Sequence, residues 1–234
     1  MLEQILSQGF ETLGVTPDPA AIGRYRQYYE ALEAGNRVMN LTAITGEEDV
    51  ARLHFLDCAA LLRFVELGGK KVIDVGTGAG FPGLALKIAR PEMELTLLDS
   101  LDKRVGFLRQ TCALLGFDEV ACVHARAEEL PPERREAFDF ALSRAVARLN
   151  VLLELCLPCV KVGGAFVAMK GPDAARELDE AEKALRLLGA KLERRCDYAI
   201  PGTDTAHCAL IFRKTAPTPA KYPRRWAQIK KSPL

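Results

Sequence analysis

The chain has 234 residues, of which 49% are hydrophobic and 27% charged, and its formal net charge at pH 7 is +1. This is the composition of an ordinary globular protein, and a core of this size needs neither metals nor disulfides for stability. No run of apolar residues is long enough to span a membrane, and the N-terminus lacks a secretory signal, so we expect a cytoplasmic protein.

Residues 1–66 are predicted to form helices. The apolar residues at helical spacing are Ile22, Tyr25, Tyr29 and Leu32, and they follow a helix-start signal at Asp18-Pro19. A second helical stretch is expected to begin near the acidic residues Glu47–Asp49, whose charges suit a helix N-terminus. We interpret 1–66 as a helical extension packed on the domain that follows.

From Lys70 onwards, strand-like and helix-like segments alternate. Apolar runs at 71–75, 95–98, 120–123, 138–142 and 165–169 are separated by helical segments at about 82–90, 102–115, 148–160 and 173–188. This alternation predicts parallel strands with crossover helices. Two further runs, 192–200 and 206–212, are too close together for a crossover helix and predict an antiparallel hairpin.

A glycine-rich loop, DVGTGAGFPG, is predicted to connect the first strand to the first crossover helix. Gly76 and Gly78 allow the backbone to approach a ligand, and the helix start offers free N–H groups. The G-x-G-x-G spacing differs from the G-x-G-x-x-G of NAD-binding proteins. Asp99, at the end of the second strand, is positioned to accept hydrogen bonds from a ribose.

The third and fourth strands end in further candidate ligand-binding residues. Ala127 and Glu128 follow the third strand, where an adenine would lie, and Arg144 ends the fourth. Carboxyl ends of parallel strands form the crevice in which open α/β sheets bind ligands. Turn glycines and helix caps are the alternative explanation for these residues.

Several ordered motifs resemble the bacterial RsmG (GidB) family of 16S rRNA methyltransferases. They are DVGTGAGFPG, LLDSLDKRVGFLRQ, RAEEL and FDFALSRAVARL, with NRVMNLT and HFLD upstream and KYPRR downstream. The resemblance implies a class I S-adenosylmethionine-dependent methyltransferase with a Rossmann-like sheet, five parallel strands and a C-terminal antiparallel hairpin, over residues 67–215. It implies methylation of N7 of guanosine 527 in 16S rRNA. The implied cofactor contacts are Gly76, Phe81, Ala127, Glu128 and Arg144, with Asp99 on the ribose.

The chain departs from the family pattern at three places. Cys58 replaces a frequent serine, Ala206 replaces a frequent arginine before His207, and Trp226-Ala227-Gln228 replaces a Gly-x-Pro turn. Because guanine N7 carries a lone pair and no proton, we expect no general base among His54, His124 and His207. His54 and Asp57, one helical turn apart, are expected to form a structural pair.

The segment 216–234 is expected to contact RNA. There is no acidic residue from Thr205 onwards, whereas residues 205–234 contain seven lysines and arginines, and a basic segment suits a polyanion. Its prolines discourage regular structure, so Lys221, Arg224 and Arg225 are expected to reach outward to 16S rRNA or the small ribosomal subunit. Tyr222 and Trp226 are predicted either to stack on bases or to pin the segment to the body.

Other classes of protein remain open from the sequence. An NAD-dependent oxidoreductase, a methyltransferase acting on another RNA or a non-RNA substrate, and a non-catalytic RNA-binding module are the alternatives. The seven cysteines are expected to be free thiols, and the pair Cys156 and Cys159 lacks the partners of a zinc or redox motif. We expect no metal and no stable protein partner, hence a monomer.

Overall fold

The computed structural model describes all residues, 1–234. Its centre is a seven-stranded sheet with the strand order β3-β2-β1-β4-β5-β7-β6. The strands are β1 Lys71–Val75, β2 Glu94–Asp99, β3 Ala121–His124, β4 Phe138–Arg144, β5 Val160–Lys170, β6 Ala190–Ala199 and β7 Ala206–Lys214. β1 to β5 are parallel, and β7 runs antiparallel to both β5 and β6. The predicted sheet and its C-terminal hairpin are therefore confirmed.

The helices lie mostly where the sequence predicts them. They are α1 Leu2–Leu13, α2 Ala21–Met39, α3 Glu47–Asp49, α4 Asp57–Ala59, α5 Gly83–Ala89, α6 Asp102–Leu114, α7 Leu149–Cys156, α8 Ala174–Glu180, α9 Glu182–Leu188 and α10 Trp226–Lys231. A π-helix, Val50–Leu56, joins α3 to α4, so the second predicted N-terminal helix is continuous but irregular. The helix predicted over 173–188 is interrupted at Ala181, and none of the helices is long and apolar enough to cross a membrane.

Two hydrophobic clusters pack on the sheet. The larger, of 47 buried residues, combines α1, α2 and the π-helix with α5, α6 and strand residues. The second, of 27 residues, contains α7, α8 and α9 and also two residues of the C-terminal segment, Tyr222 and Ile229. The N-terminal helices thus share a continuous core with the sheet.

The C-terminal segment differs from its prediction. Residues 226–231 form the helix α10, Tyr222 is 5% exposed and Ile229 is fully buried. The Arg135 guanidinium donates hydrogen bonds to the carbonyl oxygens of Thr218 and Tyr222 at 2.6 and 2.7 Å. Buried apolar side chains and these hydrogen bonds hold the segment on the body, which is one of the two roles predicted for Tyr222. The RNA contact predicted for the exposed Lys221 and Arg225 stays a prediction.

All seven cysteines are free thiols, and all but the half-buried Cys122 are buried. Burial raises the pKa of the Cys159 thiol to about 12 and that of Cys156 well above its ordinary value. Both thiols are therefore protonated near neutral pH and pack as small apolar groups, as expected from the sequence.

Candidate functional site

The glycine-rich loop follows β1 and has backbone conformations that side chains disfavour. Gly76 has φ 72° and Gly80 has φ 109°. A Cβ atom at Gly76 would lie 2.7 Å from Val146, and one at Gly80 would lie 2.4 Å from the Tyr28 hydroxyl. That hydroxyl donates a 2.5 Å hydrogen bond to the Ala79 carbonyl oxygen. Because Tyr28 belongs to α2, this helix fixes the position of the loop.

Asp99 connects the loop to the end of β2. Its side chain is 4% exposed, and its two carboxylate oxygens accept hydrogen bonds from the backbone N–H groups of Gly78 and Leu101, both at 2.9 Å. A carboxylate has about four acceptor positions, so capacity remains for the hydroxyl groups of a ligand. A Cβ at Gly78 would meet no atom of the chain, which leaves the space beside this loop open.

A pocket of about 250 Å³ lies at the carboxyl ends of β1, β2 and β3. This strand-end pocket is lined, among others, by Gly76, Leu98, Asp99, Ala127, Glu128, Leu155 and Trp226. The Glu128 Oε1 atom is buried and has no hydrogen-bond partner in the chain, although the Arg126 guanidinium lies 3.9 Å away. A buried acceptor without a donor is costly, and an adenosine offers the missing donor through its amino or hydroxyl groups. The pocket therefore fits the nucleoside half of S-adenosylmethionine.

A larger cleft of about 720 Å³ adjoins the pocket. This polar cleft is lined by His54, Asp57, Arg144, Arg148, Lys170, Glu177 and His207, with Ile44, Leu53, Met169 and neighbouring residues. Val146 lines both the strand-end pocket and the polar cleft. A molecule bound in the cleft consequently lies next to a ligand in the pocket.

Arg144 organises the inner wall of the polar cleft. Its guanidinium donates to the Asp57 carboxylate at 3.0 Å and to the Leu53 carbonyl oxygen at 3.1 Å, and contacts His54 Nδ1 at 2.7 Å. The side chain of Asp57 is 1% exposed and that of Arg144 13%. His54 and Asp57 therefore do not pair with each other, as the sequence suggested, but are joined through the guanidinium.

The other side of Asp57 binds two further groups. Its Oδ1 atom accepts hydrogen bonds from the Tyr198 hydroxyl and from His207 Nδ1, both at 2.9 Å. The hydrogen bond to Asp57 raises the pKa of His207 above its ordinary value of 6.5. Burial and the neighbouring Arg144 lower the pKa of His54 to about 3. His54 is thus a neutral, very weak base at physiological pH.

The predicted cofactor residues fall into three places. Gly76, Asp99, Ala127 and Glu128 line the strand-end pocket, and Gly78 is tied to it through Asp99. Arg144 faces the polar cleft instead. The Phe81 ring is buried, with the His54 ring stacked 4.2 Å away, and Phe81 lines neither cavity.

The three cations predicted for RNA binding are not equivalent. Lys221 and Arg225 are exposed. Arg224 binds the fully buried Glu154 through Nε at 2.8 Å and Nη2 at 2.6 Å, and its backbone N–H donates to the same carboxylate. The charge of Arg224 is thus paired with Glu154 inside the protein, and its RNA role stays a prediction.

Sequence analysis missed three contributors to the site. Tyr198 and His207 come from the hairpin strands β6 and β7, and Trp226 comes from the C-terminal segment. His207 and Trp226 carried a signal, since each lies at a departure from the family motifs, but neither was assigned to this site. No spacing in the sequence relates Tyr198 or His207 to Asp57.

The sheet order, the glycine-rich loop and the acid at the end of β2 define an S-adenosylmethionine-dependent methyltransferase of class I. TrmN from Thermus thermophilus shares the fold, with a TM-score of 0.54 and 22% identity over 68% of this chain and 48% of that one. M. jannaschii TYW2, solved in complex with AdoMet, has a TM-score of 0.54 and 13% identity over 68% of this chain and 74% of that one.

The family model GidB, rRNA small subunit methyltransferase G, matches residues 22–197. The ribosomal RNA small subunit methyltransferase G of Alkaliphilus oremlandii is 46% identical, covering 100% of this chain and 99% of the relative. The protein of the same name from Acetivibrio thermocellus is 42% identical, covering 100% and 97%. The chain belongs to this family.

Replacing Asp99 by alanine is expected to weaken the binding of S-adenosylhomocysteine by about ten- to 150-fold, because charge-assisted hydrogen bonds are lost. Calorimetric titration measures the effect. The control is Asp102→Ala, which removes an exposed carboxylate outside the pocket and should leave affinity unchanged. Wild-type affinity in Asp99→Ala would assign the ribose contact to another residue.

Proposed function

We propose that the chain transfers the methyl group of S-adenosylmethionine to N7 of a guanosine in 16S rRNA, which by family resemblance is guanosine 527. The observation that carries the proposal is the polar cleft, which adjoins the strand-end pocket at Val146 and contains cationic side chains. Naked 16S rRNA and the small ribosomal subunit are the candidate substrates, and both place the reaction in the cytoplasm.

The proposed reaction requires the chain to bind S-adenosylmethionine and the target guanine and to orient them towards each other. Bound S-adenosylmethionine supplies an electrophilic methyl group on its sulfonium. Guanine N7 is an acceptor with a free lone pair, so its attack requires no proton removal. Holding the two reactants together contributes at most about 7–11 kcal/mol to lowering the barrier, and the strand-end pocket and polar cleft are adjacent surfaces for this purpose.

The charges in the polar cleft suit an RNA backbone. Arg148 is 61% exposed at the cleft, and its surface ion pair with Glu180, at 3.3 Å, leaves the guanidinium accessible to a phosphate. The carboxylates of Asp57 and Glu177 are neutralised by Arg144 at 3.0 Å and Lys170 at 2.7 Å. Neither carboxylate therefore repels phosphate as a free charge. Exposed Lys221 and Arg225 remain candidates for further phosphate contacts.

No histidine is required as a base in this proposal. His54 is held neutral by its low pKa, and His124 lies at the end of β3, outside the polar cleft, with Nε2 3.2 Å from the Ser100 carbonyl oxygen. His207 is the exception that favours an alternative. With Nδ1 held by Asp57, it has the arrangement of a general base, which methylation of a proton-bearing atom on another RNA or a non-RNA substrate would use.

Site mapping tests the proposal directly. The protein is incubated with tritiated S-adenosylmethionine and either 16S rRNA or small ribosomal subunits, and the rRNA is cleaved at 7-methylguanosine. We expect label at a single guanosine N7. Label on another atom or at several positions would refute the proposal.

His207→Gln distinguishes the two mechanisms. A histidine acts as a general base only in its neutral form. If His207 were the base, the wild-type methylation rate would rise with pH through the raised pKa of His207, and the rate of His207→Gln would not. For N7 methylation we expect single-turnover rates at saturating substrate to have the same pH profile in wild type and His207→Gln. Loss of a rising limb in the variant would favour the alternative.

A further inference from the structure

The C-terminal segment contributes a side chain to the cofactor site. Trp226, the first residue of α10, lines the strand-end pocket together with Asp99, Ala127 and Glu128. It lies beyond residues 22–197, which match the family model. It is also the only tryptophan of the chain, and its side chain is partly exposed at 36%.

The chain is anchored to the body on both sides of Trp226. The Arg224 guanidinium, two residues earlier, binds Glu154 on α7 with two hydrogen bonds, and the next residue of that helix, Leu155, lines the same pocket. On the other side of Trp226, Ile229 is fully buried in the second hydrophobic cluster. Helix α7 therefore both anchors the segment and forms part of the wall next to it.

The composition of the pocket indicates which half of the ligand faces the indole. Asp99 supplies the acceptor for ribose hydroxyls, and Ala127 and Glu128 lie beyond it, at the end of the neighbouring strand β3. An adenine placed there has two apolar faces to cover. The apolar side chains available in the pocket are Val75, Leu98, Ala125, Ala127, Val146, Leu155 and Trp226. Among these, only Trp226 has an aromatic surface for stacking.

We propose that Trp226 stacks on the adenine of S-adenosylmethionine, so that the C-terminal segment closes the adenosine site. This assigns Trp226 to the cofactor rather than to RNA. Stacking of a base on an aromatic side chain corresponds to a change in affinity of about 5- to 150-fold on truncation to alanine. The lysines and arginines around Trp226 are not needed for this role.

Intrinsic fluorescence reports the contact without a label. Because Trp226 is the only tryptophan, titration of the full-length protein with S-adenosylhomocysteine should change its emission, with the same Kd as calorimetry. An emission that does not respond while calorimetry detects binding would overturn the proposal.

Three variants separate stacking from a general effect on the segment. Trp226→Ala should weaken S-adenosylhomocysteine binding by about 5- to 150-fold, whereas Trp226→Phe retains a ring and should lose less. Gln228→Ala changes an exposed residue of the same helix and should bind as wild type. Equal losses in all three variants, or wild-type affinity in Trp226→Ala, would overturn the proposal.

A shorter ligand locates the contact on the adenine. Methylthioadenosine keeps the adenosine and lacks the amino-acid end, so Trp226→Ala should weaken both ligands by the same factor. A loss confined to S-adenosylhomocysteine would place the indole at the methionine end and refute adenine stacking. These measurements contain no RNA, so they stand whether or not the rRNA position proposed above is correct.

Discussion

Asp57→Ala is expected to lower the free energy of unfolding by about 3–5 kcal/mol, because it leaves the charge of Arg144 buried without its partner. The same change removes the hydrogen-bond acceptor of Tyr198 and His207. For a chain of this length, the corresponding fall in Tm is roughly 6–20 °C. Denaturant and thermal unfolding measure both quantities, and we expect rRNA methylation to be lost with the wall of the polar cleft.

Two controls make this prediction specific. Asp197→Ala breaks an exposed ion pair with Arg195, at 2.8 Å, and should leave the free energy of unfolding nearly unchanged. The double variant Asp57→Leu, Arg144→Met replaces the buried pair by apolar groups and should recover a large part of the stability. If Asp57→Ala loses no more stability than Asp197→Ala, Arg144 is not effectively buried.

Arg224→Ala is expected to destabilise the protein by a similar amount, about 3–5 kcal/mol, since it leaves the fully buried Glu154 carboxylate unpaired. Unfolding by denaturant measures the loss. The neighbouring Arg225→Ala removes an exposed charge and should leave stability nearly unchanged. Adding Glu154→Gln to Arg224→Ala should restore stability, because no buried charge then remains.

The opposite result has a clear meaning. If Arg224→Ala keeps wild-type stability but weakens binding to 16S rRNA, the arginine is free to leave Glu154 and the RNA role predicted from its charge is correct. Loss of stability without a change in RNA affinity would support a purely structural ion pair.

Local patterns were sufficient to predict the sheet and the strand-end pocket. The apolar run 71–75 coincides with β1, and the loop after it contains the glycines that the turn requires. Ligand-binding residues at the ends of parallel strands follow from the topology alone. Gly76, Asp99, Ala127 and Glu128 could therefore be located without knowledge of any long-range contact.

Contacts between distant parts of the chain could not be predicted in this way. Asp57 meets Tyr198 and His207 across 141 and 150 residues, and Arg224 meets Glu154 across 70. Composition counts Arg224 as a free positive charge, whereas packing places it against a buried carboxylate. Likewise, the prolines of the C-terminal segment indicate irregular backbone but do not reveal that Tyr222 and Ile229 are buried.

Val146 is expected to couple cofactor binding to the RNA binding proposed for the polar cleft. Because this one side chain lines both the strand-end pocket and the polar cleft, a ligand that displaces it in one cavity also reshapes the other. Reciprocal linkage then applies: if S-adenosylmethionine tightens RNA binding by some factor, RNA tightens S-adenosylmethionine binding by the same factor. The ratio of affinities with and without the second ligand thus expresses the coupling free energy between the two cavities.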